Sequence, residues 1–212
     1  MQFKRNQVEG AIFQTLGARN VRVKELKFRL KRLLVTDRRL SRNASNERGD
    51  RHYAFYSGKP PGSGVEVMFS GYEAFALLAA VMLLEHGIPQ TRVIRVMRQI
   101  RRQLEAAHAR NLKNDPRPLF DQEAILRQAR PGDFAVTSTE PVFLLLARLP
   151  DSKGDTGPGG SVVAVCEGSA ELRAVYKKHS VPGMVATFFE FSRLIHALAA
   201  NLLQSRPVKR GR

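Results

Sequence analysis

Val21-Arg-Val-Lys-Glu-Leu-Lys-Phe-Arg-Leu-Lys-Arg-Leu-Leu34 sets Val23, Leu26, Leu30, Leu33 and Leu34 at the three-and-four spacing of one helical face and Lys24, Lys27 and Lys31 along another. Arg22, Arg29 and Arg32 thicken the basic side, and Glu25 is the only acid against six bases. Lys and Arg are good helix formers that often coat an exposed face. A face that is merely solvated usually mixes signs, however, and this one does not. The imbalance runs beyond the helix: fourteen of the first 51 residues are Lys or Arg and five are acidic, a net +9 of the chain's +16. Bases carried on a helix form a surface able to lie along a polyanion, which makes nucleic acid the first partner to consider.

Working outward, Asn6–Leu16 reads as a short helix closed at Gly17. Thr36-Asp37 reads as the cap of a further short helix carrying Arg38, Arg39 and Arg42, followed by a polar loop, Asn43–Asp50. Tyr53-Ala-Phe-Tyr56 and Val65-Glu-Val-Met-Phe69 are β-prone, and the turn-forming Gly58-Lys-Pro-Pro-Gly-Ser-Gly64 between them predicts a hairpin. Tyr53, Phe55 and Tyr56 are of a type that stacks on exposed bases, although such alternate strand residues more often belong to a core. Ser70-Gly-Tyr-Glu73 fits a capping box that opens a nearly all-apolar helix to His86, with Gly87 closing it. Pro89 suits the first turn of the next helix, to about Asn111.

In that helix Val93, Met97, Ile100, Leu104 and Ala107 form a four-and-three seam. Five arginines (Arg92, Arg95, Arg98, Arg101 and Arg102) fill its other faces. The seam predicts a homodimer through residues 89–111, the alternative being that Phe75–Leu84 of the same chain covers it. Asn114-Asp-Pro-Arg-Pro118 is the best linker. It divides the chain into a basic nucleic-acid-binding domain, 1–113, a small α+β sensing or interaction domain, 119–205, and a basic tail, 206–212. A helix near Asp121–Ala129, strands at Phe134–Ser138, Val142–Leu149 and Ser161–Glu167, a loop at Pro150–Gly160, and helices at Ser169–His179 and Met184–Gln204 complete an α+β reading.

The order of helix, basic helix, hairpin, capped helix, glycine break and proline-started arginine helix resembles the winged-helix DNA-binding regulators of MerR-type arrangement, over residues 19–112. The resemblance implies a winged-helix-like N-terminal half with a β-hairpin, Lys59 at the wing tip, and Arg38, Arg39 and Arg42 on the recognition element. It also implies a C-terminal half that senses a partner or effector.

Other chemistry finds little purchase. Cys166 stands alone, without a disulfide partner or a zinc set, and its apolar strand marks it as a small buried hydrophobe. Gly154-Asp-Thr-Gly-Pro-Gly-Gly-Ser161 has Gly160 where a phosphate-binding loop needs lysine, and a strand follows it instead of a helix. His52, His86, His108, His179 and His196 show no metal-ligand spacing; His86 and His179 fall at helix C-termini, where the dipole suits them. Neither a catalytic motif nor a cofactor or metal site is expected. The start of the chain lacks a secretory pattern, and Phe75–Leu84 and Met184–Leu203 are too short or too interrupted to span a bilayer, so a cytoplasmic protein without membrane contact is expected. The expected function is nucleic-acid binding, with duplex DNA favoured and a transcriptional regulator as its form. The alternative is a non-enzymatic scaffold docking an acidic protein. Arg22, Lys24, Lys27, Lys31, Arg38, Arg39, Arg42 and Lys59 are the candidate contacts.

Overall fold

The computed structural model describes residues 1–17, 23–43, 53–62, 65–117, 121, 123, 127, 141–150 and 161–205, with side chains described only to Ser41 at the end of the helix that reaches Asn43. The expected helix near Asp121–Ala129, strand Phe134–Ser138, the loops after Asn43 and after Pro150, the tail from 206, and Arg22 lie wholly or largely outside those residues. The described chain is α+β and divides into two compact units, Met1–Arg101 with Ala197–Arg212, and Arg102–His196.

In the first unit, β1 (Gln2–Lys4) leads directly into α1 (Arg5–Thr15), which ends where Gly17 takes a φ of 72° that a residue with a Cβ rarely adopts. Helix α2 spans Val23–Asn43 without a break. The short second helix expected from Thr36-Asp37 is therefore corrected: both residues lie mid-helix and buried. Asp37 does not cap, because its carboxylate has distant partners. It accepts from Arg98 Nε at 2.8 Å and Nη2 at 2.7 Å, and from the backbone N–H groups of Ala54 (3.0 Å) and Phe55 (3.3 Å). Aspartate in a helix interior costs only a few tenths of a kcal/mol, up to ~0.7, and those bonds outweigh it.

The hairpin is also corrected. β2 (Met68–Ser70) pairs antiparallel with β1, Phe3 opposite Phe69, and Tyr53–Tyr56 forms no strand. Buried backbone must find partners, and here side chains from three helices supply them. Asp37 takes the N–H groups just named. Arg101 Nη1 donates to the carbonyls of Tyr53 (2.7 Å) and Ala54 (3.0 Å). Glu73 accepts from Ser57 N at 2.5 Å and Ser57 Oγ at 2.9 Å. Tyr53, Phe55 and Tyr56 are consequently core residues.

Helix α3 (Gly71–Glu85) opens with the expected capping box, Ser70 Oγ accepting from Glu73 N at 3.1 Å and Glu73 accepting from Ser70 N at 2.7 Å. Gly87, at φ 78°, closes it, and α4 runs from Gln90 to Asn111 with the Pro89 carbonyl accepting from Val93 N at 3.0 Å. The seam of α4 expected to face a second chain is closed within this one: Val93, Met97, Ile100, Leu104 and Ala107 are at most 1% exposed. Two bonds beside the seam tie α4 to its own chain: Asp37 of α2 accepts from Arg98, and the Tyr72 hydroxyl of α3 donates to the Arg101 carbonyl at 3.2 Å.

In the second unit, β3 (Val142–Arg148) lies between β4 (Ser161–Glu167) and β5 (Val185–Glu190) in one antiparallel sheet. Phe143, Leu145 and Cys166 pack with Leu172 of α5 (Ser169–His179). The long helix expected from Met184 to Gln204 is corrected to β5 followed by α6 (Ser192–Gln204). Val185, Thr187, Phe188 and Phe189 are β-branched or aromatic, and the free edge of β3 offers them a ladder. Ser192 Oγ accepts from Val142 N at 2.9 Å where strand turns into helix. The C-terminal part of α6 groups with the first unit, in which Asn201 Nδ2 donates to Thr15 Oγ1 at 3.0 Å.

Arg98→Leu leaves the Asp37 carboxylate buried without its cation and is expected to cost about 3–5 kcal/mol in urea unfolding. Arg95→Leu, on an exposed position of the same helix, is expected to change stability by less than about 0.5 kcal/mol. Equal effects of the two would show that the ion pair does not hold α4 to α2.

Candidate functional site

The buried side of α2 carries Leu26, Leu30, Leu33, Leu34, Asp37 and Ser41, which orients every other side chain of the helix. At 100° per residue, Lys24, Phe28, Lys31, Arg32, Val35 and Arg39 then share the opposite face, with Lys27 at its margin beside Leu34, and all seven are exposed. No carboxylate pairs with its five cations among the described residues. The nearby acid, Glu25, is held by Arg29 Nη2 at 2.5 Å, and Arg29 also reaches Glu85 at 3.3 Å.

The expected contacts sort accordingly. Lys24, Lys31 and Arg39 stand on one outward face, and Lys27 is exposed at its margin. Arg38 does not join them: it is half-buried, its Nη2 donates to the Tyr56 hydroxyl at 3.0 Å, and its guanidinium lies 5.2 Å from the centre of that ring. Burial raises the Tyr56 hydroxyl above its ordinary pKa, against the pull of Arg38. Arg42 belongs to α2, but its side chain lies outside the described residues, as does Arg22 entirely. Lys59 is exposed on the 53–62 segment, which is not the arm of a hairpin.

Two features of this face escape a reading by charge. Phe28 is 59% exposed and Val35 55%; Phe28 falls off the leucine stripe and among the lysines, which a helical projection reveals. The Arg32 guanidinium sits 5.6 Å from the centre of the Phe28 ring. Beside Val35 lies a hollow of about 350 Å³ lined by Lys31, Arg32, Val35, Thr36, Arg39, Gln90 and Thr91. Gln90 fixes its wall, its amide donating to Thr36 Oγ1 at 2.5 Å and to the Arg32 carbonyl at 3.2 Å. Three cations and two small hydroxyls around an open recess suit an oxyanion such as a phosphate group.

A second hollow of about 350 Å³, in the other unit, is lined by Arg102, Gln103, Ala106, Arg110, Val165, Glu167 and Glu171. Arg110 grips Glu167 with Nε at 2.8 Å and also through Nη2, which holds the Glu167 carboxyl below the usual range, so the recess presents paired charges. Cys166 is buried, and desolvation pushes its thiol up to about 11, far from a thiolate nucleophile. His108 is buried and its imidazole is pushed down to about 4, by desolvation first and then by His196. His196 is lowered by burial as well, against a bond to the Asn111 backbone. No group of three or more His, Cys, Asp or Glu positioned for a metal ion occurs among the described residues, and none of their helices is long and apolar enough to cross a membrane.

Comparison with known proteins finds no family model that matches the chain, no similar curated protein and no similar solved structure.

The His108 ring makes the fold acid-sensitive. Its folded pKa lies below the unfolded one, so it has no effect above pH 6.5 and destabilises progressively as pH falls from 6.5 towards 4. At ~1.4 kcal/mol per pH unit of separation, the loss reaches roughly 3 kcal/mol. Urea unfolding across that range is expected to show it, and His108→Gln to remove most of it; an identical pH profile in the variant would overturn the assignment.

Proposed function

We propose that the protein binds nucleic acid along its phosphate backbone through the outer face of α2, in the manner of a DNA-binding regulator. The observation that carries this reading is the set of five exposed cations, Lys24, Lys27, Lys31, Arg32 and Arg39, without a carboxylate partner among the described residues. A leucine-packed helix holds them in fixed order, so several phosphates are met at once, and each cation that meets one releases condensed counterions. Contacts of this type position the protein and carry no sequence information. Arg39 and Lys31 also line the recess beside Thr36 and Thr91, where one phosphate is seated more deeply than the rest.

The test is anisotropy titration of labelled DNA against salt. Replacing Lys24, Lys27 and Lys31 together by Ala is expected to weaken binding on every sequence alike. It should also flatten the log-log salt slope by about 0.7 to 0.9 for each phosphate no longer neutralised, the lower value for single strands. Lys177→Ala with Lys178→Ala, exposed on α5, serves as control and should leave the slope in place. An unchanged slope in the triple variant would sink the proposal.

A further inference from the structure

Phosphate contact alone does not account for the centre of this face. Phe28 is 59% exposed at the centre of this row, with Lys24, Lys31 and Arg32 three or four residues from it on the same face. A second copy of the chain is a poor cover, because the same cations would be brought against one another. The cover must combine negative charge with a flat apolar surface at short spacing. Unpaired nucleotides have that combination: base–aromatic stacking holds the ring while cations track the backbone. In duplex DNA the base faces are stacked on one another and closed to an aromatic ring. A lipid surface meets the charge requirement but would gain little from Phe28 and Val35 alone, since interfacial binding scales with buried apolar area.

Resting on the nucleic-acid reading above, we infer that the outer face of α2 is built for a single strand: Phe28 is the stacking platform for an unpaired base, Arg32 completes it as a cation over the ring, and the Lys31/Arg39 recess takes a backbone phosphate of the same strand. The Arg32 guanidinium already lies 5.6 Å from the centre of the Phe28 ring, a cation–π contact of the kind that accompanies base stacking.

The chain has no tryptophan, so Phe28→Trp introduces a single fluorescent reporter that preserves stacking. The probes are a short oligonucleotide of mixed sequence, the same strand annealed to its complement, and vesicles rich in phosphatidylserine. The strand is expected to quench the indole and the duplex to leave it bright. Phe28→Ala is expected to weaken single-strand binding roughly 5- to 150-fold, the range of one base stack removed, with the salt slope and duplex binding unchanged. Equal quenching by duplex, or no loss for Phe28→Ala while the triple lysine variant fails to bind, would overturn the stacking assignment and leave the phosphate reading standing. Failure of the unmodified protein to bind either form would overturn both. A blue shift on vesicles without quenching by the strand would overturn the assignment in favour of a lipid surface.

Discussion

The Asp37 carboxylate, fully buried at the middle of α2, is the constraint on which the first unit turns. Its desolvation is costly, of order several kcal/mol for a lone ion, and is offset only because Arg98 and two backbone N–H groups converge on it. Buried pairs of this kind add little net stability compared with apolar residues of the same volume. What the pair supplies is orientation. It joins α2, α4 and the irregular segment at Ala54–Phe55 at one point, and Arg98 extends the join by donating to Ser41 Oγ at 2.7 Å and to the Asp37 carbonyl at 2.5 Å. With Asp37 facing inward, the 100° step of the helix leaves no choice about where Lys24, Lys31 and Arg39 face.

Glu73 and Arg101 repeat the device. Glu73 closes the capping box of α3 and anchors Ser57, and Arg101 holds two carbonyls while its guanidinium lies 5.4 Å from the centre of the Tyr72 ring. Three charged side chains thus stand where a sheet would have supplied hydrogen bonds. This explains which parts of the fold could be read from sequence. The leucine stripe of α2, the Ser70/Glu73 box, the breaks at Gly17 and Gly87, and the strands β3 and β4 each depend on residues close in sequence. Tyr53–Tyr56 carries strand-like residues, but what decides its conformation arrives from 16 to 48 residues away. Val185–Glu190 is the converse case: Met184–Gln204 is apolar through most of its length, and only the free edge of β3 separates a strand from the helix that follows it.

The site was legible as charge and illegible as availability. Composition marks the N-terminal half as basic, yet it cannot say that Arg38 is folded onto Tyr56, that Arg29 is shared between Glu25 and Glu85, or that two of the five arginines of α4 are structural. Those assignments depend on tertiary partners. Phe28, by contrast, is placed by spacing alone: it lies four residues from both Lys24 and Arg32, so a projection of α2 puts it among the cations.

A helix shaped for stability alone would not look like this one. Lys24–Lys27 and Lys27–Lys31 are like-charge neighbours at three and four residues, each unfavourable by about 0.2–0.5 kcal/mol. Lys24 also sits at the N-terminal end, where the helix dipole favours the opposite sign. Glu25 is the single acid of the first turn, and Arg29 holds it off that row. The buried face gives up nothing to this arrangement, since Leu26, Leu30 and Leu33 are as closed as any residues in the unit. One side of α2 therefore packs, and the other carries an electrostatic cost that no carboxylate offsets among the described residues. An anion laid along the row would offset that repulsion, and this is the physical argument behind the proposed binding surface.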